Sequence, residues 1–379
     1  MTHYIWHHDN WTHFRWNTNQ LLTPLGECRL QQGKLLSTVA SLGFPLESQA
    51  EILAEETVKT AAIEGEQLDA RAVRSSVARR LGLPDAGIPA DRSVDGLITV
   101  LLDATRNHSD PLTFERLCGW QAALFPTGYS GMFRIRTGEW RGDTPMQVVS
   151  GPVGRETVHF EAPLFDRVPG EMSTFLQWWD SSLGKVEGVV RAALAHFHFI
   201  TIHPFEDGNG RLARAITDMA LAQDDGQAMR YYSLSAQIMA ERGEYYNILE
   251  RCQKGDGELT EWLLWFLGCF RRAISLSETV LSTVLDKAAF WRLHSQITLS
   301  ERQKKVINRL LDAGKGGFEG GLTNRKYASM TNVSRATAFR ELEALSNMGV
   351  IRQTGGGRSA RYDLVWGEAV LHQPEHGKL

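Results

Sequence analysis

Apolar residues recur at three- and four-residue intervals through most of this chain, the period of a helix with one buried face, so a mainly α fold is expected. One stretch departs from the half-polar pattern. Residues 189–202 read VVRAALAHFHFITI, and their length and apolar content suit a buried helix. Pro204 cannot continue that helix, so His203 stands where the chain leaves it. A helical pattern resumes at residues 211–223, RLARAITDMALAQ. Residues 236–250 and 258–270 read as two further helices, and residues 53–66, LAEETVKTAAIEGE, as a helix ending at Gly65. Residues 138–163 break the helical period. They are rich in Gly, Pro and β-branched residues, and MQVVSG and ETVHFEAP read as two strands around a turn at residues 151–154.

Beyond residue 298 the pattern changes again. Residues 300–314 are an amphipathic helix. A short helix from Asn324 to Met330, a turn at residues 331–333, and a second helix capped by Ser334 and running to about Met348 follow. Residues 350–364 read as a β-hairpin with its tip at residues 355–358, which completes the outline of a winged helix-turn-helix. Three regions result: a helical N-terminal region, 1–95, ending in a Pro/Gly-rich stretch; a mostly helical core, 96–290, interrupted by the hairpin; and the C-terminal module, 298–366. A linker is expected near residues 286–298.

The segment joining the two central helices carries the chemistry. Residues 203–214 read HPFEDGNGRLAR. Gly208 and Gly210 permit positive φ and let backbone N–H groups approach an anion closely. The loop empties into a helix N-terminus, which favours phosphate through its free N–H groups and its dipole. Arg211 and Arg214, three apart, reach the same side of that first turn. Asp207, a carboxylate among phosphate-binding groups, calls for a cation, and Mg²⁺ is the usual one.

This segment resembles the Fic family signature, H-P-F-x-[D/E]-G-N-G-R-x-x-R, and matches it at every specified position. The resemblance implies transfer of AMP from ATP to a protein hydroxyl, with release of pyrophosphate. His203 would be the general base, since an imidazole poised near neutral pH can take the proton of a Ser, Thr or Tyr hydroxyl. Asp207 would hold Mg²⁺. Asn209 and the N–H groups of Gly208, Gly210 and Arg211 would form the anion hole, and Arg214 would hold the γ-phosphate. Tyr245 and Tyr246 would border the adenine. The hairpin would be the flap on which an extended segment of the target lies, along Val148, Val149, Ser150 and Gly151. Phe205 is expected to anchor the loop, Glu206 has no role, and His196 and His198 read as core residues.

Thr60-Ala-Ala-Ile-Glu64-Gly65 resembles a second motif of the same family, the inhibitory pattern [S/T]-x-x-x-E-[G/N] placed ahead of the active site. A helix sets Thr60 and Glu64 on one face. By this resemblance Glu64 would pair with Arg214 and displace the γ-phosphate.

Composition narrows the setting. The chain has 379 residues, with 41 Lys plus Arg against 44 Asp plus Glu, so no overall field favours nucleic acid or membrane. Cys28, Cys118, Cys252 and Cys269 lack metal spacing and read as reduced thiols. The N-terminus, polar and aromatic, shows neither a signal-peptide pattern nor a membrane span, so a cytoplasmic protein is expected. Its histidines, His3, His7, His8 and His13, stand among three tryptophans and read as part of a folded aromatic cap. Residues 321–366 hold seven Lys or Arg against three acidic residues, and Ser334, Arg335, Thr337 and Arg340 would face a DNA major groove, with Arg358 and Arg361 on the wing. The module could equally contact protein, and a homodimer is open. Two function classes follow: an autoinhibited AMP transferase acting on proteins, itself included, and a DNA-binding regulator whose core senses nucleotide. Within the first, Glu64 could also position water and make the enzyme remove AMP.

Overall fold

In a computed structural model the described residues are 3–42, 46–85, 87–89, 91–150, 155, 157–314, 320–355 and 360–366. They are mainly helical, and the strands among them form three separate two-stranded antiparallel hairpins. The chain divides into two compact units, Met1–Ser277 and Glu278–Leu379.

The first unit begins with a 3₁₀ turn, Ile5–His7, and the helices α1 (Thr18–Leu42), α2 (Leu46–Ile63), α3 (Ala70–Leu81), α4 (Arg92–Arg106) and α5 (Phe114–Leu124). Two hairpins follow, β1 (Tyr129–Ser130) with β2 (Phe133–Arg134), and β3 (Gln147–Ser150) with β4 (Thr157–Glu161). Then come α6 (Val168–Ser182), α7 (Gly188–Ile202), α8 (Asn209–Asp225), α9 (Leu234–Ala240), α10 (Arg242–Gln253) and α11 (Thr260–Leu293), whose residues beyond Ser277 belong to the second unit. Polar caps set several boundaries. Asp69, Asp91, Thr113 and Glu187 each accept a hydrogen bond from a first-turn N–H of the helix they precede, which satisfies a donor the helix cannot.

The core centres on α7 and α8. Every residue of α7 from Val189 to Ile202 is buried, the mostly apolar run and the Arg191, His196, His198 and Thr201 within it alike. α8 packs along it, and α2, α4 and α5 lie against α8. The N-terminal aromatic segment is folded onto this body. Trp6 and Trp11 are buried, and their indole N–H groups donate to the Glu161 carbonyl at 2.7 Å and to Glu171 Oε2 at 3.0 Å. The linker expected near 286–298 is helical as far as Leu293, because the apolar period of α11 continues through it.

The second unit contains α12 (Glu301–Asp312), α13 (Asn324–Thr331), α14 (Arg335–Asn347) and the hairpin of β5 (Ile351–Thr354) with β6 (Arg361–Leu364). Val306, Ile307, Leu311, Leu322, Tyr327, Leu342, Leu345 and Val350 form its core. Asn332, at φ 53°, turns the chain from α13 into α14. The Ser334 hydroxyl accepts the Thr337 N–H and lies 3.0 Å from the Thr337 hydroxyl, so both side chains are engaged in capping α14. Arg335 and Arg340 are exposed. Most of the expected wing tip, Arg358 included, lies outside the described residues.

Candidate active site

His203 is the residue at which α7 stops. Its backbone is left-handed, φ 53° and ψ 59°, a conformation that costs a non-glycine residue about 1 kcal/mol or more. Neighbours hold it there. Its N–H donates to the Phe199 carbonyl at 3.1 Å, and its own carbonyl accepts from Arg141 Nε at 2.9 Å. The Arg141 N–H donates to the Pro204 carbonyl at 2.9 Å, and its guanidinium also donates to the Pro163 carbonyl. The imidazole is oriented as well. Nδ1 lies 3.1 Å from the Ile200 carbonyl, which can only accept, so Nδ1 carries the proton and Nε2 is the ring's acceptor. Burial pushes the His203 pKa below its ordinary 6.5, which keeps the ring neutral at pH 7.

The loop after His203 is anchored from inside. Phe205 is fully buried, and Asn209 brackets it: the Phe205 N–H donates to Asn209 Oδ1 at 3.0 Å, and Asn209 Nδ2 donates to the Phe205 carbonyl at 2.8 Å. Both polar ends of the Asn209 side chain thus help to shape the loop, and the residue also lines the site's cavity. Gly208, at φ 91°, makes the turn into α8, and a Cβ there would press on Phe125 at 3.0 Å and Leu124 at 3.1 Å. Asp207 Oδ1 accepts the Gly208 N–H at 2.5 Å, and its Oδ2 accepts the Ser130 hydroxyl from β1. Glu206 accepts the Arg136 N–H at 2.9 Å, which ties the segment after β2 to the loop.

The end of α2 meets this loop. Arg214 is buried, and its Nε donates to the Thr60 hydroxyl at 2.5 Å. Its Nη2 donates to the Thr60 carbonyl at 2.9 Å and to Glu64 Oε1 at 2.8 Å. Burial alone would lower the guanidinium pKa, but the Glu64 carboxylate, together with Tyr245 and Tyr246, outweighs it and leaves it raised. A Cβ on Gly210 would lie 2.1 Å from Glu64 Oε1, so the carboxylate sits directly against the first turn of α8. Arg211 makes a separate pair with Glu66, Nη1 to Oε2 at 3.2 Å. α10 also holds the end of α2: the Ile63 carbonyl accepts from Arg242 Nε at 2.7 Å and from the Tyr246 hydroxyl at 3.2 Å.

A cavity of about 550 Å³ opens between these parts, lined among others by Glu64, Val148, Val149, His203, Asp207, Gly210 and Tyr246. That is the size of a small-molecule site. β3 and β4 form one wall, in a register that pairs Val148 with Phe160 and Val149 with Val158. His159 of β4 is 2.7 Å from Glu250 of α10. Gly151, expected in the flap, lies outside the described residues, as does the hairpin's turn.

Tyr245 also borders the cavity, but it is buried, and its hydroxyl lies 2.9 Å from His196 Nε2. His196 Nδ1 is 2.9 Å from the Thr217 hydroxyl. His198 lies among the rings of Trp11, Phe14, Phe175 and Trp178. Burial lowers the pKa of both histidines to about 3, so they are neutral core residues. Arg141, Ser130, Arg242 and Glu66 carry no sequence signal of their own. Each acts on the site across 62 or more residues of chain.

Among the described residues no three His, Cys, Asp or Glu side chains could together cage a metal. Asp207 still suits Mg²⁺, which takes one or two carboxylates and completes its shell with water and phosphate oxygens. Its carboxylate lines the cavity and is 41% exposed, open to an ion from that side. No described helix is long and apolar enough to cross a membrane.

Residues 111–221 match the Fic/DOC family, and residues 4–83 match a domain of unknown function, DUF4172. Among curated relatives, the protein adenylyltransferase Fic of Aedes aegypti is 28% identical over 113 residues, which are 28% of this chain and 21% of that protein. The protein adenylyltransferase Fic of Drosophila grimshawi is 26% identical over 166 residues, 40% of this chain and 33% of that protein. This chain therefore spans a fifth to a third of the length of these relatives. The fold resembles the crystal structure of a Fic family protein from Desulfovibrio desulfuricans, with a TM-score of 0.55 at 20% identity, over 91% of this chain and 96% of that one.

Proposed function

We propose that this chain, which carries a Fic/DOC domain, transfers AMP from ATP to a hydroxyl of a protein and is restrained by α2. The observation that carries the reading is the imidazole of His203. It is fixed by Ile200 with Nε2 as acceptor, and it borders a cavity shared with the N-terminal turn of α8. In the reaction the acceptor oxygen attacks the α-phosphorus and forms the new O–P bond. The bond from that phosphorus to the bridging oxygen breaks, pyrophosphate leaves, and His203 Nε2 takes the hydroxyl proton. The first-turn N–H groups of α8, which have no partners within the helix, take phosphate oxygens as charge develops. Asn209 serves this anion hole by holding the loop around Phe205. Asp207 would hold Mg²⁺, and a bound ion would offset charge on the phosphates. Arg214, once released from Glu64, takes the γ-phosphate as a charge-assisted fork. Tyr246 borders the nucleotide, and Val148 and Val149 offer a strand edge to the target.

The test uses α-labelled ATP with Mg²⁺ and the purified full-length protein, wild type beside Glu64→Gly and His203→Ala. Label on protein in the Glu64→Gly sample, and none when His203 is also changed, is expected. No label in any sample under saturating ATP overturns the transfer reading. Removal of AMP by a Glu64-positioned water would appear in the same assay as loss of label from pre-labelled protein by the wild type alone.

For residues 298–366 we propose a winged helix-turn-helix that contacts DNA through α14. The exposed Arg335 and Arg340 on that helix support it. Binding should fall steeply with salt and weaken in Arg335→Ala and Arg340→Ala. Absence of any shift of genomic fragments at low salt would turn the assignment to protein contact.

A further inference from the structure

The inhibitory pattern gives a role to Glu64 and none to Glu66. In the structure Glu66 is placed as deliberately. Beyond Ile63 the chain reverses: Gly65 adopts φ 87°, its N–H donates to the Ala62 carbonyl at 3.0 Å, and the Glu66 N–H donates to the Ala61 carbonyl at 3.1 Å. This closure of a helix C-terminus needs the positive φ that glycine adopts without strain. It turns the Glu66 side chain back onto α8, where Oε2 lies 3.2 Å from Arg211 Nη1. The Arg211 side chain it meets is only 8% exposed. Arg211 is held over the Phe125 ring at 4.8 Å, and its Nη2 is 3.7 Å from Asp207 Oδ1. Two carboxylates two residues apart therefore face two arginines three residues apart, Glu64 on Arg214 and Glu66 on Arg211.

We infer that Glu66 is a second brake on the site, a positioning residue that masks Arg211 and so weakens binding of the diphosphate part of a nucleotide. The inference rests on the proposal that this loop binds nucleotide phosphates. If it does, the two arginines take different parts of the ligand. Arg211, in the first turn of α8 beside Asp207, faces the α- and β-phosphates, and Arg214 faces the γ-phosphate. The two pairs also differ in strength. Glu66 is 43% exposed against 32% for Glu64, its contact is longer, 3.2 Å against 2.8 Å, and Arg214 is further bonded to Thr60, so water and salt compete more for the Glu66 pair. A nucleotide arriving at the site would displace Glu66 more easily than Glu64. The α2 terminus then acts as a graded filter: Glu66 lowers affinity for any polyphosphate, and Glu64 blocks the γ-phosphate.

ADP separates the two, because it has no γ-phosphate. Binding of ADP and ATP to the full-length protein is measured by calorimetry for wild type, Glu64→Gly, Glu66→Gln and the double variant. Glu66→Gln should bind ADP about three- to fivefold more tightly than wild type, the worth of a half-exposed pair. Glu64→Gly should gain mainly for ATP, and the double variant should bind ATP most tightly. The ADP gain in Glu66→Gln should shrink as salt rises. If Glu66→Gln binds ADP no better than wild type while Glu64→Gly still gains for ATP, the inference falls and the nucleotide reading stands. Equal ADP gains in the two single variants overturn the division between the carboxylates. If no variant binds either nucleotide, the phosphate-loop reading falls and takes Glu66 with it. The Glu66 side chain is exposed enough that Glu66→Gln should melt at the wild-type temperature.

Discussion

Arg214 and Glu64, 150 residues apart in sequence, meet at 2.8 Å, and the carboxylate that makes the contact also lies against Gly210. One carboxylate thus occupies the guanidinium and crowds the first helical turn. A triphosphate entering with Glu64 in place would be displaced from its in-line pose, and an error of about 1 Å can cost roughly 100-fold in rate. Glu64→Gly should therefore raise self-labelling from α-labelled ATP by about 10- to 100-fold. Arg214→Ala should not mimic it, because that change also deletes the phosphate contact, and the double variant should match Arg214→Ala. A Glu64→Gly protein that labels no faster than wild type would assign Glu64 to structure or to AMP removal.

His203→Ala in the Glu64→Gly background should lower transfer by at least about 100-fold while ATP affinity stays close to that of the parent. The pH profile adds a sign. Burial lowers the His203 pKa, so the ring stays unprotonated, and able to accept a proton, to a pH below 6.5. The acid limb of kcat in Glu64→Gly should therefore lie below 6.5. A limb above 6.5 would mean that another group accepts the proton.

Asn209 is expected to act through the loop rather than on the nucleotide. Asn209→Ala removes both hydrogen bonds to the buried Phe205 backbone and leaves an N–H and a carbonyl unpaired. The loss should be about 1–3 kcal/mol in unfolding free energy, read by urea denaturation, along with a fall in transfer. Unchanged stability with lost ATP affinity would instead place the side chain on a phosphate.

How far the sequence could be read depends on how local each cause was. α7 was legible because ten of the fourteen residues 189–202 are apolar and they fall on every face of the helix, and a helix with no continuous polar face must be buried. The stop at His203 followed from Pro204, and the start of α8 from the glycines at 208 and 210. The hairpin of β3 and β4 followed from residues that disfavour helix. Glu64 became visible only through a resemblance, since no local rule says which arginine a carboxylate will meet. Ser130, Arg141, Arg242 and Glu66 stayed silent for that same reason: their partners are brought to them by packing of distant elements. Asn209 and Tyr245 show the converse. Their types suit a ligand site and both line the cavity, but no local rule shows that the Asn209 amide also bonds Phe205 and the Tyr245 hydroxyl also meets His196. Of the expected linker near 286–298, the residues up to Leu293 are helical, because the apolar period of α11 runs on that far.

His198 yields a prediction independent of catalysis. It is fully buried in an aromatic box, and its pKa falls from 6.5 to about 3 on folding. Between those values the unfolded chain binds a proton at this site and the folded protein does not, so the histidine's contribution disfavours folding increasingly as pH drops below 6.5. The raised carboxyl groups of Glu56 and Asp218 have the opposite slope, because they stay protonated in the folded state over a range where the unfolded chain has released the proton. Total stability against pH therefore mixes opposing terms, and a difference measurement isolates one of them. His198→Phe fills the same space without a titrating group. Relative to wild type, the variant should gain about 2 kcal/mol between pH 7 and pH 5, from about 1.4 kcal/mol per pH unit over the range below 6.5. Urea unfolding of both proteins at the two pH values reads it directly. A stability difference that does not move with pH would show that His198 protonates in the folded state, and that its ring reaches water through the box formed by Trp11, Phe14, Phe175 and Trp178.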